Sequence, residues 1–273
     1  MREAFNLAPG GGIAEMSAIL TRYGTGLFWL GFFAFVLAAW LAIYQMQPGE
    51  LAFQGFGRDL LLSLSAPHTG SAGFGGLFLM WALMSAAMMA PTFVPTLRTY
   101  FNLTHTEAAT GLTAVGLVAG YGAVWLVFSL LAAVAQLTLA RIALVDGLGQ
   151  SQSLWLTAGL LAVAGGYQFS ALKEACLNQC RAPLMFFMGH WKPGGMGAIQ
   201  MGLRLGALCL GCCWALMTLG FVGGVMNLVW MGIATLLMAL EKLPEIGRIV
   251  TRPLGIVLLA GAVFTALAAL EYS

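Results

Sequence analysis

Long apolar blocks follow one another along nearly the whole chain, broken by short polar or glycine-rich joints. A helix needs about 20 apolar residues to cross ~30 Å of hydrocarbon, and seven blocks reach or approach that length. They are Leu27 to Tyr44, Phe74 to Leu97, Leu112 to Ala140, Leu154 to Leu172, Leu203 to Val222, Met226 to Leu240 and Leu254 to Leu270. The pattern predicts an all-α fold, a polytopic membrane helical bundle of about seven transmembrane helices. The blocks leave no room for a separate soluble domain, so residues 1–273 form a single integral membrane domain, with 26 residues before the first span. The third block is overlong and predicts tilt or projecting ends. Gly223 and Gly224 join the fifth and sixth as a short turn, which predicts a tight antiparallel hairpin.

Charge orients the bundle. With seven spans, the face holding the N-terminus carries Arg2, Arg22, Arg98, Lys173, Arg181, Lys192, Arg204, Lys242, Arg248 and Arg252, while the opposite face carries Arg58 and Arg141. Lys and Arg concentrate in cytoplasmic loops, so the asymmetry predicts a cytoplasmic N-terminus. The expected location is a bacterial cytoplasmic (inner) membrane. The first residues carry Glu3 and Glu15 and are only weakly apolar, which predicts that they are not a cleaved signal peptide.

Composition agrees with the pattern: 60% of residues are hydrophobic and 8% charged, where a soluble domain has roughly 25% charged. The net charge of +2 is spread over many loops and offers no face to nucleic acid. The lipid bilayer is the expected surrounding. The segment of about 173–202 is the longest interior connection, and its Phe186, Phe187 and Trp191 beside His190 and Lys192 predict an interfacial location. Gly194, Gly195 and Gly197 predict a sharp turn into the fifth span.

The chemistry concentrates in GALCLGCCWALM, residues 206–217. Cys209, Cys212 and Cys213 stand at i, i+3 and i+4, which places the thiols on one helix face, and Met217 extends that face by a turn. At ~1.5 Å per residue from Leu203, Cys212 and Cys213 lie about 14 Å inside the membrane. Met88 and Met89 of AMMAP come to the same depth, as does Met231. Soft sulfur in apolar surroundings favours copper(I), with zinc as the second choice; zinc more often recruits His or carboxylate, and no predicted span contains His. Against this stands the packing role of cysteine and methionine as ordinary apolar residues.

Cys176 and Cys180, at i and i+4, fall at the cytoplasmic end of the fourth block. They read either as a dithiol passing metal to the deeper cluster or as two interfacial cysteines, and spacing leaves both open. All five cysteines are expected to stay reduced. Cys212 and Cys213, being adjacent on a helix, are expected to point apart and make a poor disulfide. Pro91 and Pro95 free carbonyls within the second span, to kink it or line a site. Glu241 and Lys242, at the end of the sixth span, read as an exposed snorkelling pair.

The order AMMAP, YQFSALKEACLNQC, GALCLGCCWALM, GVMNLVWM, EKLP resembles a bacterial multi-pass family of predicted metal-binding integral membrane proteins of unknown function. The resemblance runs over roughly Met80 to Gly247. It implies metal binding, carried here by Cys209, Cys212, Cys213, Cys176 and Cys180, and implies no reaction, substrate or cofactor.

Three functions follow. One is a metal-handling protein that binds copper(I) through Cys209, Cys212 and Cys213 with Met88, Met89 or Met217, for transport or for delivery to a metal-accepting protein. Another is an accessory subunit of a larger membrane complex, for which Gly116 and Gly120 offer a small-residue docking stripe. An enzyme is disfavoured: the chain has no HExxH, no phosphate-binding glycine loop and no paired intramembrane aspartates. No span carries an acid or base near its midpoint, which disfavours a proton-coupled pump.

Overall fold

A computed structural model describes residues 11–46, 71–103, 111–147 and 149–271; Arg2 and Arg58, two of the residues used for orientation, lie outside them. The described residues form ten helices: α1 Gly11–Gln45, α2 Ser71–Asn102, α3 Gly111–Arg141, α4 Leu154–Tyr167, α5 Ala171–Arg181, α6 Pro183–His190, α7 Gly194–Thr218, α8 Gly220–Gly223, α9 Leu228–Glu241 and α10 Gly247–Glu271. Five helical stretches are long and apolar enough to cross a membrane: Thr25–Gln45, Gly73–Asn102, Gly111–Arg141, Gly194–Gly223, which runs through α7 and α8, and Gly247–Glu271. That architecture is consistent with a membrane protein. α4 and α9 are apolar but have 14 residues each, about 21 Å of helix against ~30 Å of hydrocarbon.

The short helices begin at side-chain caps, which explains where the blocks divide. The Ser170 hydroxyl accepts from the Lys173 backbone N–H at 3.1 Å, so the block Leu154 to Leu172 ends as a span at Tyr167 and restarts as the polar helix α5. Asn227 Oδ1 accepts from Trp230 N at 3.1 Å and opens α9. Gly194 turns the chain at φ +79°, and α7 starts there, nine residues before the apolar block at Leu203. Gly195 and Gly197 are helical.

α3 and α7 cross at the centre of the bundle, with α2 packed on α3, α1 on α2, α5 on α7, and α4 paired with α10. Two glycines set the α3–α7 crossing. A Cβ on Gly120 would collide with the Ile199 carbonyl, and one on Gly202 with the Leu117 carbonyl. Gly116 faces the same seam, against Gly195 and Ala198. The small-residue step read as a docking stripe for a partner is therefore spent inside the chain, where it lets two backbones approach. α7 packs chiefly along α3 and only lightly against α9, so the tight hairpin expected at Gly223 and Gly224 is reduced to the turn itself, with Gly224 at φ +89°.

Pro91 cannot bond the carbonyl of Ala87 one turn earlier. The Trp40 indole of α1 donates to that carbonyl at 3.0 Å and satisfies it. Trp81 Nε1 likewise donates to Gln136 Oε1 at 2.7 Å between α2 and α3.

Glu241 is buried, contrary to its reading as an exposed helix-end residue. Its Oε2 lies 2.8 Å from Nζ of Lys173, itself buried, and the Arg181 Nε donates to the Glu241 carbonyl at 2.9 Å. A lone carboxylate in that position would be costly, and the chain supplies a cation from α5 to pair with it.

Candidate metal centre

Helix geometry alone brings the thiols of α7 together. Cys209, Cys212 and Cys213 are all buried, and their three sulfurs lie within 4.8 Å of one another. Cys212 and Cys213 approach at 3.2 Å between sulfurs, contrary to the expectation that adjacent thiols point apart. All five cysteines are free thiols. Cys212 also donates back to the Cys209 carbonyl at 3.1 Å.

Three other helices complete the surroundings of Cys209. Tyr121 of α3 places its hydroxyl 3.0 Å from the Cys209 sulfur and 3.4 Å from the Met89 carbonyl. The ring of Phe93, from α2, stacks on Tyr121 with centroids 4.0 Å apart and fixes its direction. Lys242, just past the end of α9, points inward: its ammonium donates to Cys209 Sγ at 3.0 Å and to Thr92 Oγ1 at 2.7 Å. The Thr92 hydroxyl in turn donates a hydrogen bond to the Met89 carbonyl at 2.9 Å. Lys242 is thus not the snorkelling partner of Glu241 that the sequence predicts. The two neighbours end α9 by gripping different helices.

The second thiol pair joins the first. α5 packs on α7, with the Cys176 sulfur against Gly211, where a Cβ would stand 2.7 Å from it, one residue before Cys212. Gly211 supplies the room for this approach. Cys176 is buried and Cys180 partly exposed, so the sulfurs grade from the edge of the bundle to its core. Burial pushes the Cys176 thiol above its usual pKa, which favours the neutral form.

Met88, Met89 and Met217 are buried in the same core as the cysteines, Met89 touching the site through its carbonyl. The compact ligand group is the three cysteines of α7. Sequence reasoning missed Lys242, Tyr121 and Thr92. A hydroxyl in the interior of α3 and a threonine between two prolines were available as signals; the inward turn of Lys242 was not.

The donor set fits a soft, thiophilic metal ion. Three thiolates at about 2.3 Å from a central metal stand roughly 4 Å apart, so the sulfurs need adjust by less than about 1 Å. Zinc in a closed site takes four ligands, and α7 alone offers three. Three thiolates around copper(I) leave two negative charges, and the Lys242 ammonium and Tyr121 hydroxyl are aimed at the sulfur that carries part of that charge.

The model of the PpoB2 copper chaperone family matches residues 78–265. The chain belongs to that family. Together with the trithiol, membership supports a copper-related role and a metal-accepting protein as a partner class. No curated protein and no solved structure matches the chain.

Proposed function

We propose that this chain is a seven-span protein of the bacterial cytoplasmic membrane, N-terminus inside, that holds copper(I) on Cys209, Cys212 and Cys213 and hands it on. The short helices α4 and α9 complete the seven, and the basic loops on the N-terminal face support the orientation. Met88, Met89 and Met217 serve as auxiliary sulfur around the trithiol. The protein acts by binding and not by turnover.

The observation that carries this reading is the approach of thiols from two separate helices, α5 laying the Cys176 sulfur against Gly211 of α7, beside Cys212. Thiolate exchange moves copper(I) from ligand to ligand without changing its oxidation state, each incoming sulfur binding before the outgoing one leaves. A graded row of thiols fits such passage, from Cys180 at the edge, beside Cys176, to the buried cluster. Lys242 offsets charge where the metal comes to rest, a role that a static packing cysteine would not need.

Metal analysis of the purified protein tests the proposal. One copper per chain is expected, lost when Cys209, Cys212 and Cys213 are together replaced by Ser. Copper retained by that variant, or a chain purified under reducing conditions that takes up zinc in preference, would sink it.

A further inference from the structure

α5 has two working faces. Cys176 turns toward α7, while Lys173 and Arg181 line a partly open cavity of about 540 Å³ between α5 and the start of α10. Arg248 and Arg252 of α10 line it from the other side. Its wall thus carries four cationic side chains against one carboxylate, Glu174, with Glu241 held behind Lys173.

We propose that this cavity binds the phosphate group of an anionic phospholipid. Like charges gathered on one wall repel, and Arg248 and Arg252 line the same cavity as Arg181. An anion among them reverses that cost. Two groups are already set for it: Arg181 Nη2 is buried without a hydrogen-bond partner, and so are both amide atoms of Gln168, a residue only 5% exposed that faces the same space. Guanidinium pairs and a buried amide N–H donate to phosphate oxygens in the fork geometry that Arg provides.

The surroundings choose a lipid over a soluble anion. Phe169 lines the cavity and is half exposed, giving an acyl chain an apolar surface at the edge of the charged pocket. Basic pockets of this kind on the cytoplasmic side of a helical bundle suit acidic headgroups.

The full chain, copper-loaded in detergent, is titrated with phosphatidylglycerol, with phosphatidylcholine of the same acyl chains, and with inorganic phosphate, while thermal midpoint and lipid retained in native mass spectrometry are followed. Phosphatidylglycerol alone is expected to raise the midpoint and stay bound, with at least a roughly tenfold preference over phosphatidylcholine. Arg248→Gln/Arg252→Gln should lose the preference yet keep its copper, which shows that it has folded. Gln168→Leu, which keeps every charge, should weaken retention as well. Equal effects of the two lipids, an unaltered preference in the arginine variant, or full replacement by inorganic phosphate would each overturn the assignment.

Discussion

The Lys242 ammonium lies 3.0 Å from the Cys209 sulfur, 33 residues away in the chain. It thereby gives the trithiol a counter-charge from outside its own helix. A hydrogen bond to a charged group contributes about 1.5–3 kcal/mol. Lys242→Met is therefore expected to weaken copper(I) binding by about tenfold to a hundredfold in chelator competition while leaving one site per chain. Unchanged affinity would remove Lys242 from the site.

The α5 thiols affect rate more than capacity. Cys180→Ser should retain the full copper stoichiometry but load from a copper(I)–thiolate donor roughly tenfold more slowly, about 1.4 kcal/mol in the barrier. Stopped-flow loading compared with endpoint metal content separates the two. A drop in stoichiometry with normal loading would make Cys180 a permanent ligand instead.

Copper should also shield thiols from alkylation. In the loaded protein, mass spectrometry after maleimide treatment is expected to find Cys209, Cys212 and Cys213 unmodified; removing copper with a chelator under mild unfolding should expose all three. Equal labelling with and without metal would count against a thiolate site.

Glu241→Gln leaves the Lys173 ammonium buried without its partner, at a cost of about 3–5 kcal/mol. The expected result is a lowered thermal midpoint. Replacing both, as Lys173→Met/Glu241→Leu, should recover most of the loss, because two apolar side chains need no pairing. If the single variant were as stable as the parent, the pair would be ornamental.

At the α3–α7 seam, Gly120→Ala or Gly202→Ala forces a methyl group into a backbone carbonyl. Overpacking of this kind costs about 1–3 kcal/mol, and the seam positions the trithiol. Lower midpoint with reduced copper occupancy is expected. Gly159→Ala, which meets nothing within 4 Å, serves as the control.

The apolar blocks located every long helix, because burial in lipid demands uninterrupted apolar length and leaves that demand plainly written in the residues. They did not locate the break after Tyr167, where one serine hydroxyl and a lysine N–H decide the matter. The spacing of Cys209, Cys212 and Cys213 placed them on one face, since i, i+3 and i+4 are local. The approach of Cys176 to α7 beside Cys212 depends on how α5 lies across α7, and the glycine that permits it, Gly211, is one of 36 in the chain. Glu241 and Lys242 misled for a related reason: a charged pair at a helix end is ordinarily solvated, and its burial here follows from cations and sulfur supplied by distant segments.

Because Lys242 and Tyr121 reach Cys209 from just past α9 and from α3, charge compensation at the metal is a property of the assembled bundle and not of the cysteine motif. A peptide copying α7 would keep all three thiols yet hold copper as an uncompensated dianion. Metal affinity in this protein is therefore also a gauge of how completely the helices have closed around it.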